Sequence, residues 1–200
     1  MPASAVPPHR RRYGPGLQLL LDALSHVPAF VFNGRLGIIA ANDLGRALYA
    51  PIFDDPARPP NPARFTFLRE ERSRAFWPTM WEAMASDAVA MLRTEAGRRP
   101  NDPELIDLVG QLSTRSQEFA SRWRAHDVGE HKAGVKTLHH PLVGDLTLPF
   151  QNFTPATAPD QLLMAYTPEP GTPAHDALVL LASLSATSTD TGDTIRQQRY

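Results

Sequence analysis

The stretch PAFVFNGRLGIIAAN, residues 28–42, constrains the fold of this chain more than any other. Apolar residues alternate on either side of Asn33 and Gly34, and this dipeptide best supports the left-handed backbone of a two-residue hairpin turn. The pattern predicts an antiparallel hairpin near the start of the chain. Period-two alternation returns only at the far end, in GVKTLHHP, GDLTLPFQNF and QLLMAYTP. Short turns rich in Gly, Pro and Asp join these runs, which predicts a three-strand antiparallel meander.

The flanking and intervening segments read as helix. Leu17, Leu20, Leu21 and Leu24 recur at helical spacing, and the pattern stops before Pro28. Asn42 or Asp43 can cap a short helix through Leu44, Leu48 and Tyr49. PIFDDPARPPNPARF then holds five prolines and interrupts regular structure. Residues 73–96 place Trp77, Trp81, Met84, Ala88, Met91 and Leu92 on one stripe, with Pro78 in the first turn or at a kink. Asp102 and Pro103 open a helix carrying Leu105, Leu108, Val109 and Leu112. Thr114 with Gln117 reads as a capping box for another, which carries Phe119, Trp123 and His126. A last helix spans about 173–184.

Two strands, then helices, then three strands predict an α+β fold: one five-stranded antiparallel sheet with helices packed on one face. A half-covered sheet against helices with broad apolar stripes is a natural ligand cavity. The expected organisation is a flexible, basic, Pro-rich linker over 1–15, one domain over 16–185 and a disordered tail over 186–200. The linker's His9, Arg10, Arg11 and Arg12 are the one candidate basic patch for DNA. Four positive positions are too few to anchor a protein alone.

Composition narrows the function classes. A net charge of −1 gives no global pull toward nucleic acid or acidic lipid, and zero cysteines exclude disulfides and thiolate metal sites. No apolar run approaches a membrane span and no signal peptide is visible, so a cytoplasmic protein is expected. HDVGEHKAGVKTLHHPLVGDL, residues 126–146, concentrates four histidines: His126, His131, His139 and His140. Strand alternation sends His139 and His140 to opposite faces, and the spacing of His126 and His131 fits no common metal motif, so no metal or cofactor is expected. No nucleophile elbow, phosphate loop or paired-carboxylate signature accompanies them, so no enzyme is expected. One of His139 and His140 is expected to face inward and hydrogen-bond, with a place at a pocket wall.

The segments GLQLLLDALSHVPAFVFNGRLGIIAANDLGRALYAPIF, NPARFTFL, RRPNDPELIDLVGQLSTRSQEFASRWRAHDV, GVKTLHHPLVGDLTLPFQNF and LLMAYTPEPGTPAHDALVLLA, in that order, carry a family resemblance. The chain resembles the ligand-binding domain of MmyB-like transcription regulators, abundant in actinobacteria, over about residues 15–185. The resemblance implies a PAS-like sensor that follows an XRE-type helix-turn-helix and holds a small lipophilic molecule such as a fatty acid. This chain shows no helix-turn-helix, so DNA contact is expected only through a domain outside it, and a homodimer is the expected assembly. Gly129 stands where the family usually has Arg after HDV.

An acyl ligand needs an apolar tunnel and a partner for its carboxylate, because an unpartnered buried charge costs several kcal/mol. Arg64, between aromatic residues in NPARFTF, is the leading head-group candidate, since a guanidinium binds carboxylate bidentately. Asn61, Arg122 and His139 are lesser ones. Expected tunnel walls are Phe30, Phe32, Ile38, Phe65, Phe67, Trp81, Met84, Phe119, Trp123, Leu146, Leu148, Phe150, Met164 and Tyr166. Two other readings stay open: a protein-interaction or dimerisation module without a small ligand, and a His-dependent metal enzyme.

Overall fold

Five strands form in the computed structural model, which describes residues 15–125 and 133–197. They are β1 Ala29–Asn33, β2 Ile38–Ala41, β3 Ala133–His140, β4 Gly144–Phe153 and β5 Gln161–Tyr166. All pairs are antiparallel, in the order β2-β1-β5-β4-β3. The meander β3–β5 is as expected, and β1 joins its β5 side with Phe30 opposite Met164 and Val31 opposite Leu163. The N-terminal hairpin therefore completes its pairing only with the last strand of the chain.

The hairpin turn is wider than a two-residue loop. Residues 34–37 lie between the strands, and Gly34, Arg35 and Leu36 form the loop closed by Asn33 and Gly37: the Leu36 N–H donates to the Asn33 carbonyl (2.9 Å) and the Asn33 N–H to the Gly37 carbonyl (3.0 Å). Leu36, not Gly34, takes the left-handed conformation, at φ 62°. A turn followed by one left-handed residue is the usual three-residue hairpin solution. Asn33 Oδ1 stabilises it by accepting from the Arg35 and Gly37 N–H groups at 3.0 and 2.8 Å. Gly34 serves a close approach instead. A Cβ there would stand 2.3 Å from the carboxyl carbon of Glu95, which is buried.

The helices are α1 Pro15–Ala23, α2 Asp43–Leu48, α3 Ala50–Phe53, α4 Pro62–Leu68, α5 Glu70–Phe76, α6 Trp81–Arg98, α7 Pro103–Arg115, α8 Gln117–Ala125 and α9 Pro173–Gln197. The proline-rich stretch is not wholly irregular, because Pro51 and Pro62 fall in the first turns of α3 and α4, where a missing N–H costs nothing. The expected helix over 73–96 splits. Pro78 disfavours helical backbone at Trp77, which sits at φ −116°, ψ 58°, and α6 starts afresh at Trp81. Ser116 rather than Thr114 caps α8: it accepts from the Phe119 N–H at 3.1 Å, while the Thr114 hydroxyl donates back to Gly110 within α7. Helix α9 runs past the expected end at 184, and its buried anchors, Leu178 and Leu181, lie before it.

Two cores flank the sheet. On one face Phe30, Phe32, Met164, Tyr166, Leu138, Leu146, Leu148 and Phe150 meet buried side chains of α2–α9 in a single cluster. On the other, Ala29, Val31, Ala40, Leu163 and Ala165 meet Leu21, Leu17 and Leu24 of α1. The alternation of β1 and β5 thus gives α1 an apolar cluster apart from the one the other helices share. The expectation of helices on one face describes the main core, and α1 alone lies on the reverse of the sheet.

Candidate ligand-binding layer

The layer between sheet and helices is aromatic. Phe30 lies 4.3 Å from Tyr49 between ring centroids, and edge contacts continue from Tyr49 to Phe76, Trp77 and Tyr166. A second group joins Phe67 to Trp81 and to Phe119, and Phe119 stacks on Trp123 at 5.5 Å. Of the expected tunnel walls, Phe30, Phe32, Ile38, Phe65, Phe67, Trp81, Phe119, Leu146, Leu148, Phe150, Met164 and Tyr166 are buried in this one cluster. Met84 and Trp123 lie partly buried against it. Met91, expected on the same stripe, is 39% exposed, because the buried face of α6 is centred on Trp81, Ala85, Ala88 and Leu92 and Met91 falls at its edge.

Polar groups enter the layer at few points. The Tyr49 and Tyr166 hydroxyls, both deeply buried, share a 2.7 Å hydrogen bond. Burial raises the pKa of each above the ordinary tyrosine range. Tyr49→Phe leaves the Tyr166 hydroxyl alone and is expected to cost about 1–2 kcal/mol, whereas Tyr49→Phe with Tyr166→Phe recovers most of that loss. Urea denaturation of the four proteins measures this cycle, and additive losses would show the hydroxyls to be uncoupled.

The Trp81 indole N–H donates to the Ser73 hydroxyl (2.8 Å), which itself donates to the Thr66 carbonyl (2.9 Å), so this polar edge is satisfied locally. His140 is the inward histidine. Its Nε2 donates to the Ala47 carbonyl (3.0 Å) and its Nδ1 accepts from the Leu142 N–H (3.2 Å), which fixes the neutral Nε2–H tautomer. Burial lowers its pKa, and the bond to Ala47 only partly opposes that.

The expected head-group candidates lie elsewhere. His139 faces outward on β3, half exposed, and pairs with Asp145 of β4 at 2.6 Å. Strand parity gives the inward place to His140 because Leu138 on the same parity is fully buried. Asn61 caps α4, accepting from the Ala63 and Arg64 N–H groups while donating to the Arg35 carbonyl at 2.9 Å. The Arg122 guanidinium engages Glu118, Glu82 and Ser86 on a partly exposed ionic cluster. Arg64 directs its Nε to the Gln111 side chain of α7 at 2.9 Å, in the contact between α4 and α7. His126, His131 and the basic run His9–Arg12 lie outside the described residues.

The group that sequence reasoning missed is Lys136. It shares strand parity with Leu138 and His140, so its side chain rises from β3 onto the inner face. Its Nζ lies 4.5 Å from the centroid of the Phe150 ring and 3.5 Å from the Met164 sulfur. Burial pulls its pKa down to about 8, and Asp87 opposes the shift through charge. Among the described residues, no group of three or more His, Cys, Asp or Glu could hold a metal, and no helix is long and apolar enough to cross a membrane.

An antiparallel sheet with a helical cover, aromatic side chains between them and a few inward polar groups is an arrangement compatible with holding a small molecule. The model of the MmyB-like transcription regulator ligand-binding domain matches residues 13–181. The chain belongs to that family, and is a ligand-sensing regulatory domain of the transcription-regulator type. The comparison with curated proteins returns no match.

Proposed function

We propose that the domain senses a lipophilic acid, a fatty acid in particular, taken up in the aromatic layer between the inner sheet face and α4–α8. The observation that carries this reading is the make-up of that layer: a continuous apolar cluster, in a ligand-binding family, whose inward Lys136 meets a thioether and an aromatic ring. Burial of an acyl chain contributes roughly 0.8 kcal/mol per CH₂ before association costs, so one charged contact is enough to set orientation. Occupancy would favour one arrangement of α1 or of a dimer interface and thereby control an attached helix-turn-helix domain.

Native mass spectrometry of the purified chain, before and after organic extraction, tests the reading. The expected result is an adduct in the fatty-acid mass range that extraction removes and added fatty acid restores. A chain that carries no adduct and ignores a panel of saturated and unsaturated fatty acids overturns it. A second reading, a protein-interaction or dimerisation module, is favoured by apolar side chains left on the surface: Leu19 and Leu20 of α1, and Val179 and Leu180 of α9. Under that reading the same spectra show a dimer and no small-molecule adduct.

A further inference from the structure

We infer that Lys136 is the carboxylate-binding residue of this domain: its ammonium, seated on the inner face of β3 between the Phe150 ring and the Met164 sulfur, receives the head of a lipophilic monocarboxylate. The inference rests on the lipophilic-acid reading above and deepens it by naming the anchoring group.

An ammonium has three donors, and among the described residues the one acceptor within hydrogen-bond distance of Nζ is the Met164 thioether, a weak one. The Phe150 ring face offers a further attraction but accepts no proton, so two N–H groups remain for an oxygen ligand. Asp87 on α6 acts on this ammonium by charge only. A residue of ordinary packing purpose would not bring a charge to this position, since a methionine or leucine would fill the space without desolvating an ion. Burial lowers the proton affinity of Lys136, so an anion beside the ammonium would be favoured there.

Stoichiometry selects the class of head group. A monoanion neutralises one ammonium, whereas a dianionic phosphate would leave excess charge buried in an aromatic layer. Strand position supplies the approach: β3 is the last strand of the sheet, paired only with β4, so Lys136 sits at the edge of the layer. A carboxylate held there lets its alkyl chain run inward along Phe150, Leu148 and Tyr166, all buried on the inner face.

The test is isothermal titration of the full chain and of Lys136→Met and Lys136→Arg with lauric acid, dodecanol and dodecyl phosphate. The wild-type chain is expected to prefer the acid to the alcohol. Lys136→Met is expected to weaken the acid by about tenfold or more and leave the alcohol within about threefold, and Lys136→Arg to retain the preference for acid. Equal effects of Lys136→Met on acid and alcohol, or none on the acid, overturn the assignment while the lipophilic-acid reading stands. Tighter, Lys136-dependent binding of dodecyl phosphate overturns the choice of carboxylate. Failure of the wild-type chain to bind acid or alcohol overturns both the reading and the assignment. A thermal melt of Lys136→Met, expected at or above the wild-type midpoint, separates lost binding from lost folding.

Discussion

Asn42→Ala is expected to remove roughly 3–5 kcal/mol of folding stability, a large part of the 5–15 kcal/mol typical of a domain. The side chain is nearly buried and makes four hydrogen bonds, all to backbone groups, in the turn after α1, at the start of β1 and in the first turn of α2. Its Oδ1 accepts from the Gly45 N–H in the first turn of α2 (2.8 Å) and from the Ala29 N–H at the start of β1 (3.1 Å). Its amide donates to the Leu24 carbonyl beyond the end of α1 (2.6 Å) and to the Val27 carbonyl (2.7 Å). Truncation removes the Asn42 partner from two donors and two acceptors, and only the Leu24 carbonyl keeps another contact, from the Val27 N–H at 3.5 Å. Each unpaired buried group costs about 1–3 kcal/mol, and partial access of water to the Leu24 and Val27 carbonyls keeps the total at the stated level. Asn42→Ser retains an acceptor for Gly45 and is expected to recover about 1 kcal/mol, the usual worth of an N-cap. Chemical denaturation of the three proteins decides it; a loss below about 1 kcal/mol for the alanine variant would show that α1 is held by its apolar face alone.

The same residue shows how much of the fold was legible. An Asn or Asp ahead of a short apolar pattern is a helix start, and Asn42 does cap α2. Nothing in the spacing reveals that its other three bonds reach backward to residues 24–29, because those partners are backbone groups common to every residue. Strand existence was legible for a related reason: alternation reports the face each side chain takes. It does not report neighbours, so the pairing of β1 with β5 had no sequence signature. The aromatic layer was readable from the same parity, with Phe150, Tyr166 and Phe30 falling on one face. The anchoring charge was not. NPARF reads as irregular from its prolines, but Asn61 and Pro62 start a helix there, and the Arg64 Nε–H donates to the Gln111 side chain. The chain has two lysines, and Lys136 sits on the parity of buried Leu138.

Lys136→Met is expected to stabilise the ligand-free domain by about 2–3 kcal/mol near neutral pH, with the gap over wild type closing as pH rises from about 8 toward 10.5. A lysine in the unfolded chain holds its proton up to about pH 10.4, whereas folded Lys136 releases it near 8. Between those values the unfolded state binds more protons, so wild-type stability rises with pH; below pH 8 both states are protonated and the full cost of desolvating the charge is present. Asp87, the charge acting on this ammonium from α6, reduces the cost without removing it. Tyr49 and Tyr166 keep their protons above pH 10 while unfolded tyrosines lose theirs, which lowers stability there. Both proteins share that term, so the difference between their denaturation curves isolates the lysine. A gap that stays flat from pH 7 to about 10.5 would mean that the ammonium is solvated and its seat on Phe150 and Met164 has little energetic weight. A bound carboxylate should reverse the effect. By favouring the charged form it raises the pKa of Lys136, so saturating lauric acid is expected to flatten the wild-type slope above pH 8 and to leave the methionine variant's curve unchanged in shape.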